Sequence, residues 1–243
     1  MHAWNLRSAL GNCRVAARLS LLSPFVLLAL AGSGVAAEKA DQLTLGGNLN
    51  SNRTGGSISY LHAFSGSLRK SGALMRVGAS SGETDEDYVT NPAYSGSNYS
   101  LEALAGWQSY YKGWRFRALA GALYRGRTGD DRNTDGLGFK VLMQATSPWS
   151  APTYVNATAS FDTATDRVVS RLQVGKNFGD KIVGPEGGVA YTSENQRYDF
   201  GLFLTGVKLD KFSLSARVGF SHYEGENRKP DSPYLGISAT YQF

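Results

Sequence analysis

The sequence predicts an all-β chain, an antiparallel transmembrane β-barrel of about 12 strands of the outer-membrane type. Three observations lead there. Phe212, Leu214, Ala216, Val218 and Phe220 alternate with Ser213, Ser215, Arg217, Gly219 and Ser221, a period of two that gives a strand one apolar and one polar face. Tyr234 to Phe243 repeats the alternation and finishes on an aromatic residue, a side chain suited to the lipid–water boundary where a closing strand would end. Short connections also alternate with longer ones rich in Asp, Glu, Asn, Gly and Pro, the turn-and-loop asymmetry of outer-membrane barrels.

At the N-terminus, Arg7, Arg14 and Arg18 precede the apolar run Leu19–Ala31 and the small residues Gly32-Ser33-Gly34-Val35-Ala36-Ala37. This is the order of a secretory signal peptide over residues 1–37, with a cut before Glu38 and a single barrel domain over 38–243. The run falls short of the roughly 20 residues a spanning helix needs, which argues against an N-terminal anchor. Cys13 is the sole cysteine and precedes the run, so the mature chain is left without disulfide, thiol or cysteine–metal chemistry. Three of the 25 Lys+Arg and none of the 20 Asp+Glu lie in the signal, so export lowers the net charge from +5 to +2. That small excess gives no reason to propose a nucleic-acid partner.

Alternation then recurs over residues 41–50, 56–65, 72–82, 97–108, 113–125, 135–146, 152–162, 167–178, 181–192, 197–207, 211–222 and 233–243. Each segment suits a tilted spanning strand of about 9–11 residues. One side of the sheet receives the connections Ser65–Ser71, Ser109–Lys112, Ser147–Ala151, Gly179–Asp180 and Lys208–Asp210, mostly tight. The other receives Ser51–Gly55, Glu83–Gly96, Gly126–Thr134, Thr163–Asp166, Ser193–Gln196 and Tyr223–Ser232, three of them long.

The faces sort by chemistry. Met75 and Val77, Leu101 and Trp107, Phe116 and Ala118, Phe139 and Met143, and Phe200 and Leu202 belong to a lipid face. Trp107, Trp114 and Trp149 beside the tight turns read as an interfacial girdle. The opposite face carries Arg76, Glu102, Arg115, Arg117, Lys140, Arg171, Asp199 and Arg217, charges costly in lipid that must look inward. The expected interior is polar and more basic than acidic. In the ninth strand Pro185 lacks a backbone donor among Gly184, Gly187 and Gly188, so a bulge or inward bend is expected there. Glu186 is expected to pair with Arg171 on the preceding strand.

Between residues 136 and 204, Gly138-Phe139-Lys140-Val141, Phe161-Asp162-Thr163, Ser170-Arg171-Leu172-Gln173-Val174-Gly175, Val183-Gly184-Pro185-Glu186-Gly187-Gly188 and Tyr198-Asp199 resemble the cellulose biosynthesis protein BcsS family. The resemblance implies an exported bacterial protein whose gene accompanies cellulose synthase. It brings no catalytic residue with it.

Chemistry for catalysis is sparse. His62 and His222 are the mature histidines, far apart in sequence, and no His/Asp/Glu spacing suits a metal; no cofactor is implied. Glu83, Asp85, Glu86 and Asp87 form one acidic run, and Asp130, Asp131 and Asp135 another, solvated in external loops or collecting divalent cations beside lipopolysaccharide. Tyr88, Tyr94 and Tyr99 could stack on sugar faces or serve the girdle. The expected function is therefore non-enzymatic: an outer-membrane barrel meeting lipid and lipopolysaccharide, and associated with cellulose biosynthesis, secretion or surface attachment. The alternatives are an outer-membrane enzyme acting on lipid or polysaccharide, for which a serine would have to face a histidine, and a small general pore.

Overall fold

The computed structural model describes residues 39–50, 53–88, 91–129, 134–192, 195–225 and 231–243; the expected signal peptide, and Asp130 and Asp131 of the second acidic run, lie outside them. Twelve antiparallel strands run β1 (Asp41–Asn50), β2 (Arg53–Ala63), β3 (Gly72–Tyr88), β4 (Asn91–Tyr111), β5 (Trp114–Gly129), β6 (Thr134–Thr146), β7 (Thr153–Asp162), β8 (Arg167–Phe178), β9 (Lys181–Tyr191), β10 (Asn195–Leu209), β11 (Phe212–Gly225) and β12 (Ser232–Gln242). Each pairs with its chain neighbour, and β1 pairs with β12, so the sheet closes into a barrel. Closure removes the free edges that a sheet would otherwise expose to pairing with other chains.

Alternation decides the two faces as the sequence predicts. Leu101, Trp107, Phe139, Met143, Phe200, Leu202, Val218 and Phe220 are exposed on the outside, a distribution stable only against lipid tails. Lys112 and Gly113, both at positive φ (48° and 80°), make the two-residue β4–β5 turn; two such residues in succession form the hairpin turn whose twist matches the strands. On the same side, residues 179–180 and 210–211 are equally short, while 64–71 and 147–152 are longer.

The opposite side departs from expectation. The acidic run is not in a loop: β3 extends to Tyr88 and β4 starts at Asn91, pairing Asp85 with Ser95 and Glu86 with Tyr94. Strands of 17, 21 and 16 residues for β3, β4 and β5 outrun the roughly 9–11 a tilted membrane strand needs. Here backbone pairing continues past the lipid boundary and overrides the Asp/Glu/Asn/Gly composition that predicts a loop.

The bulge also moves. Pro185 leaves β9 in constant register, although no pairs form where Val174 and Gly175 face Gly184 and Pro185; a missing donor breaks the ladder without adding a residue. The register shift lies in β10, between Thr205 and Val207. Gly206 sits there at φ +87°, and the Trp149 ring lies where its side chain would be, so only glycine meets both the backbone and the packing requirement.

The interior is less polar than expected. Leu61, Ala63, Leu74, Leu104 and Leu119 form one buried cluster with Leu68 of the β2–β3 connection, with Leu142 packed against it; Tyr154, Ile182 and Phe203 form a second. The first cluster is drawn from the neighbouring strands β2 to β6 and the second from β7, β9 and β10, so inward apolar side chains cover one another along the wall, with Leu68 of the β2–β3 connection packed onto the first.

Candidate functional site in the barrel lumen

The inward faces of the strands above the leucine cluster gather the predicted charges into groups. Glu102 of β4 lies between two cations, 3.0 Å from Arg76 Nε of β3 and 2.6 Å from Lys140 Nζ of β6. Its side chain passes over Gly78, where the lack of a side chain leaves room for a carboxylate to lie along the wall. Two cations on one largely buried carboxylate compensate for its loss of water.

A second group surrounds Glu186, whose side chain is almost wholly buried. Its Oε1 accepts from Tyr234 Oη at 2.7 Å and its Oε2 from Gln173 Nε2 at 2.8 Å. The cation closest to it is Arg217, at 3.8 Å. The expected Arg171 partnership is corrected here: Gln173 stands opposite Glu186 in the β8–β9 register, whereas Arg171 stands opposite Gly188. Arg171 contributes its charge to the Glu186 and Asp199 neighbourhood without an ion pair. Gln173 passes the chain on, accepting from Asn156 Nδ2 at 3.0 Å, and Asn156 accepts from Gln144 Nε2 at 3.0 Å. One polar relay thus links β6, β7, β8, β9 and β12.

Tyr234 reaches Glu186 because two glycines are placed for it. The register runs Glu186–Gly201–Gly219–Tyr234 across β9, β10, β11 and β12, and side chains built on Gly201 or Gly219 would meet Tyr234 Oη at 2.5 Å and its ring at 2.8 Å. The ring therefore lies flat across two bare strands. Arg217 lies over Gly236 in the same way.

Asp199 is held by Arg197 at 3.0 Å and by the Ser221 hydroxyl at 2.7 Å. Arg125 pairs with Asp162 at 3.2 Å. Arg115 and Arg117 differ: Arg115 donates to Thr146 Oγ1 at 3.4 Å and Arg117 to Gln108 Oε1 at 3.1 Å, and among the described residues neither forms an ion pair. Sequence reading missed Gln108, Arg125, Asn156, Asp162, Gln173, Arg197, Ser221 and Tyr234. Their inward parity was legible, but which of them meet depends on register across several strands.

The histidines sit elsewhere. His62 Nδ1 is 2.7 Å from Asp41, which also accepts from the Tyr60 hydroxyl, and the ring meets Phe64 edge-on at 4.9 Å. His222 Nδ1 is 2.8 Å from Asp231 and its Nε2 3.5 Å from Glu224. Among the described residues no hydrogen bond joins either ring to a serine, and no group of His, Cys, Asp or Glu could hold a metal ion. Tyr99 donates to Asp135 at 3.0 Å, lying across Gly126.

Comparison with known proteins adds two findings. The family model described as cellulose biosynthesis protein BcsS matches residues 46–243; no curated protein matches the sequence. Among solved structures the chain is similar to LpxR from Salmonella typhimurium, at 10% identity and a TM-score of 0.53, covering 83% of this chain and 100% of that one. It is also similar to the β domain of the Bordetella autotransporter Brka, at 12% identity and 0.52, covering 85% and 100%. Outer membrane phospholipase A from Escherichia coli matches at 11% identity and 0.47, covering 86% and 93%. At such identities the likeness is one of fold, that of outer-membrane-type barrels.

Proposed function

We propose, from the premise that the chain belongs to the cellulose biosynthesis protein BcsS family, that it acts in the outer membrane as a non-enzymatic barrel supporting the secretion or surface attachment of cellulose. The exposed apolar belt supports the location, since Leu202, Val218 and Phe220 are tolerable only in lipid. With the tight turns periplasmic, the extended β3–β5 strands project on the outside, where outer-membrane barrels carry their longer excursions.

The observation that carries the reading is Glu102, which bridges β3 and β6 through Arg76 and Lys140 beside a leucine cluster drawn from β2 to β6. A glucan passing through would have to break a partly buried ion triad and displace packed leucines, both unfavourable. The barrel then serves the polymer from its surface. The histidines support a non-enzymatic role, because among the described residues neither ring is hydrogen-bonded to a serine, the contact through which a base would activate a nucleophile; the partners given for them are the carboxylates of Asp41, Asp231 and Glu224.

The test is polymer distribution in a strain lacking the gene. Export should continue while the amount of cellulose retained at the cell surface changes. Accumulation of glucan in the periplasm would instead make the barrel a conduit and overturn the surface role.

A further inference from the structure

We propose that Arg115 and Arg117 form an oxyanion site at the tight-turn mouth of the lumen, taking a phosphate or a carboxylate group from solution. The two arginines point inward from the first turns of β5, next to the Lys112–Gly113 turn. Every other inward cation discussed above has a carboxylate near it; these two have a hydroxyl and an amide oxygen. Arg115 Nε and Arg117 Nη2 are buried and make no hydrogen bond among the described residues; Arg76, Arg125 and Arg197 also have an Nε without one, but each of those three guanidinium groups lies beside a carboxylate, at 3.0–3.2 Å. The positive fields of Arg115 and Arg76 both act on Arg117, and Arg76 is already engaged by Glu102.

Buried guanidinium donors without acceptors are costly, and like charges placed together add to the cost. A bound oxyanion removes both penalties at once, since guanidinium groups present paired donors in the geometry of phosphate and carboxylate oxygens. Polar side chains hold the pair in position. Gln108, fully buried, takes Arg117 on its Oε1 and donates its Nε2 to the Lys70 carbonyl at 2.6 Å. Tyr110 donates to the Leu68 carbonyl at 2.6 Å, fixing the adjoining connection.

A separate observation concerns the approach. Lys39, Arg69, Lys112, Lys181, Lys208 and Lys211 are exposed around the same mouth, with Asp180 and Asp210 in the same turns. A basic rim of this kind raises the local concentration of anions and speeds their entry. The opposite end of the barrel carries Glu83, Asp135, Asp166, Glu224 and Asp231 together with Arg127 and Arg167, a mixture of signs where the tight-turn mouth is mostly basic.

The experiment is titration calorimetry on the folded barrel in zwitterionic detergent, with three probes. Inorganic phosphate tests a free ion, an oligouronate tests a carboxylate borne on a sugar chain, and an uncharged cello-oligosaccharide is the control. Saturable binding of phosphate or oligouronate is expected, and whichever binds more tightly identifies the source. Arg115→Gln with Arg117→Gln should weaken it by at least about tenfold, the loss expected when charge-assisted donors become neutral amides. The ligand should also raise the thermal midpoint of the native protein and not that of the variant. If the double variant does not fold, as read by heat-modified gel mobility, Arg115→Gln alone is titrated to the same criterion. Absence of saturable anion binding, equal binding of the uncharged oligosaccharide, or unaltered affinity in the variant would overturn the site.

Discussion

Asp41 and Phe243 exchange backbone hydrogen bonds in both directions, each of 3.0 Å, and this pair is the last rung of the β1–β12 seam. The Phe243 ring continues the closure outward, stacking on Tyr241 at 5.2 Å, which in turn meets Phe212 at 5.4 Å. Asp41 adds its side chain, held to His62 and Tyr60. The seam therefore ends in an aromatic cluster at the side of the tight turns, where a barrel presents its girdle to the lipid boundary.

Deleting Phe243 removes both bonds and the stack. Each hydrogen bond contributes about 0.5–1.5 kcal/mol and the aromatic pair a similar amount. The truncated chain is expected to be lost from the outer membrane and degraded in the periplasm, measured by cell fractionation and immunoblotting. Native surface levels would show that the seam closes without this rung.

Val218 is exposed on the outer face, and Arg217 beside it faces inward over Gly236. Val218→Arg should destabilise the barrel by about 2–4 kcal/mol if it lies near the lipid midplane. Arg217→Val should cost less in membrane insertion, because Glu186 keeps the Tyr234 and Gln173 donors. Urea unfolding in lipid vesicles measures both; equal effects would mean that the two faces are not chemically distinct.

Tyr234→Phe should cost about 1–3 kcal/mol, the penalty for leaving a buried carboxylate oxygen short of a donor. The loss should largely vanish in a Glu186→Gln background, since a double-mutant cycle isolates the contact. Gly219→Ala should be worse than Tyr234→Phe, because its methyl would meet both the Phe200 carbonyl at 2.2 Å and the tyrosine ring. Additive effects of the two polar substitutions would separate Tyr234 from Glu186 energetically.

Replacing His62 and His222 together by alanine should leave surface cellulose and barrel stability nearly unchanged. His222 lies in an exposed cluster, where ion pairs contribute about 0–1 kcal/mol, and the proposed role has no proton-transfer step for either ring. A double variant that folds normally yet loses its cellulose phenotype would favour an enzyme.

Shortening the β3–β4 hairpin beyond Glu83 and Ser97, a paired position in the register, should act in the opposite sense. Strand pairing below that level is retained, so heat-modified gel mobility should persist while polymer retention at the surface changes, as external segments carry recognition and tolerate deletion. Unaltered retention would place polymer contact elsewhere on the barrel.

The strand count, the lipid and lumen faces and the closing role of the last strand follow from sequence because each rests on local alternation. A period of two sorts Val218 from Arg217 whatever the neighbouring strands do. Arg76, Glu102, Lys140 and Glu186 were legible as inward for the same reason, and the match to the family begins and ends within the barrel, at residues 46–243. Partnerships were not legible, because they depend on register summed over several strands. Glu186 meets Tyr234 three strands away only because Gly201 and Gly219 fall in line between them, and Gln173 takes the position that proximity in sequence assigned to Arg171. The leucine cluster and the paired acidic strands were equally beyond local pattern: burial inside a closed sheet and continued backbone pairing are decided by the whole barrel, which alone brings Leu68 to Leu104 and Asp85 to Ser95.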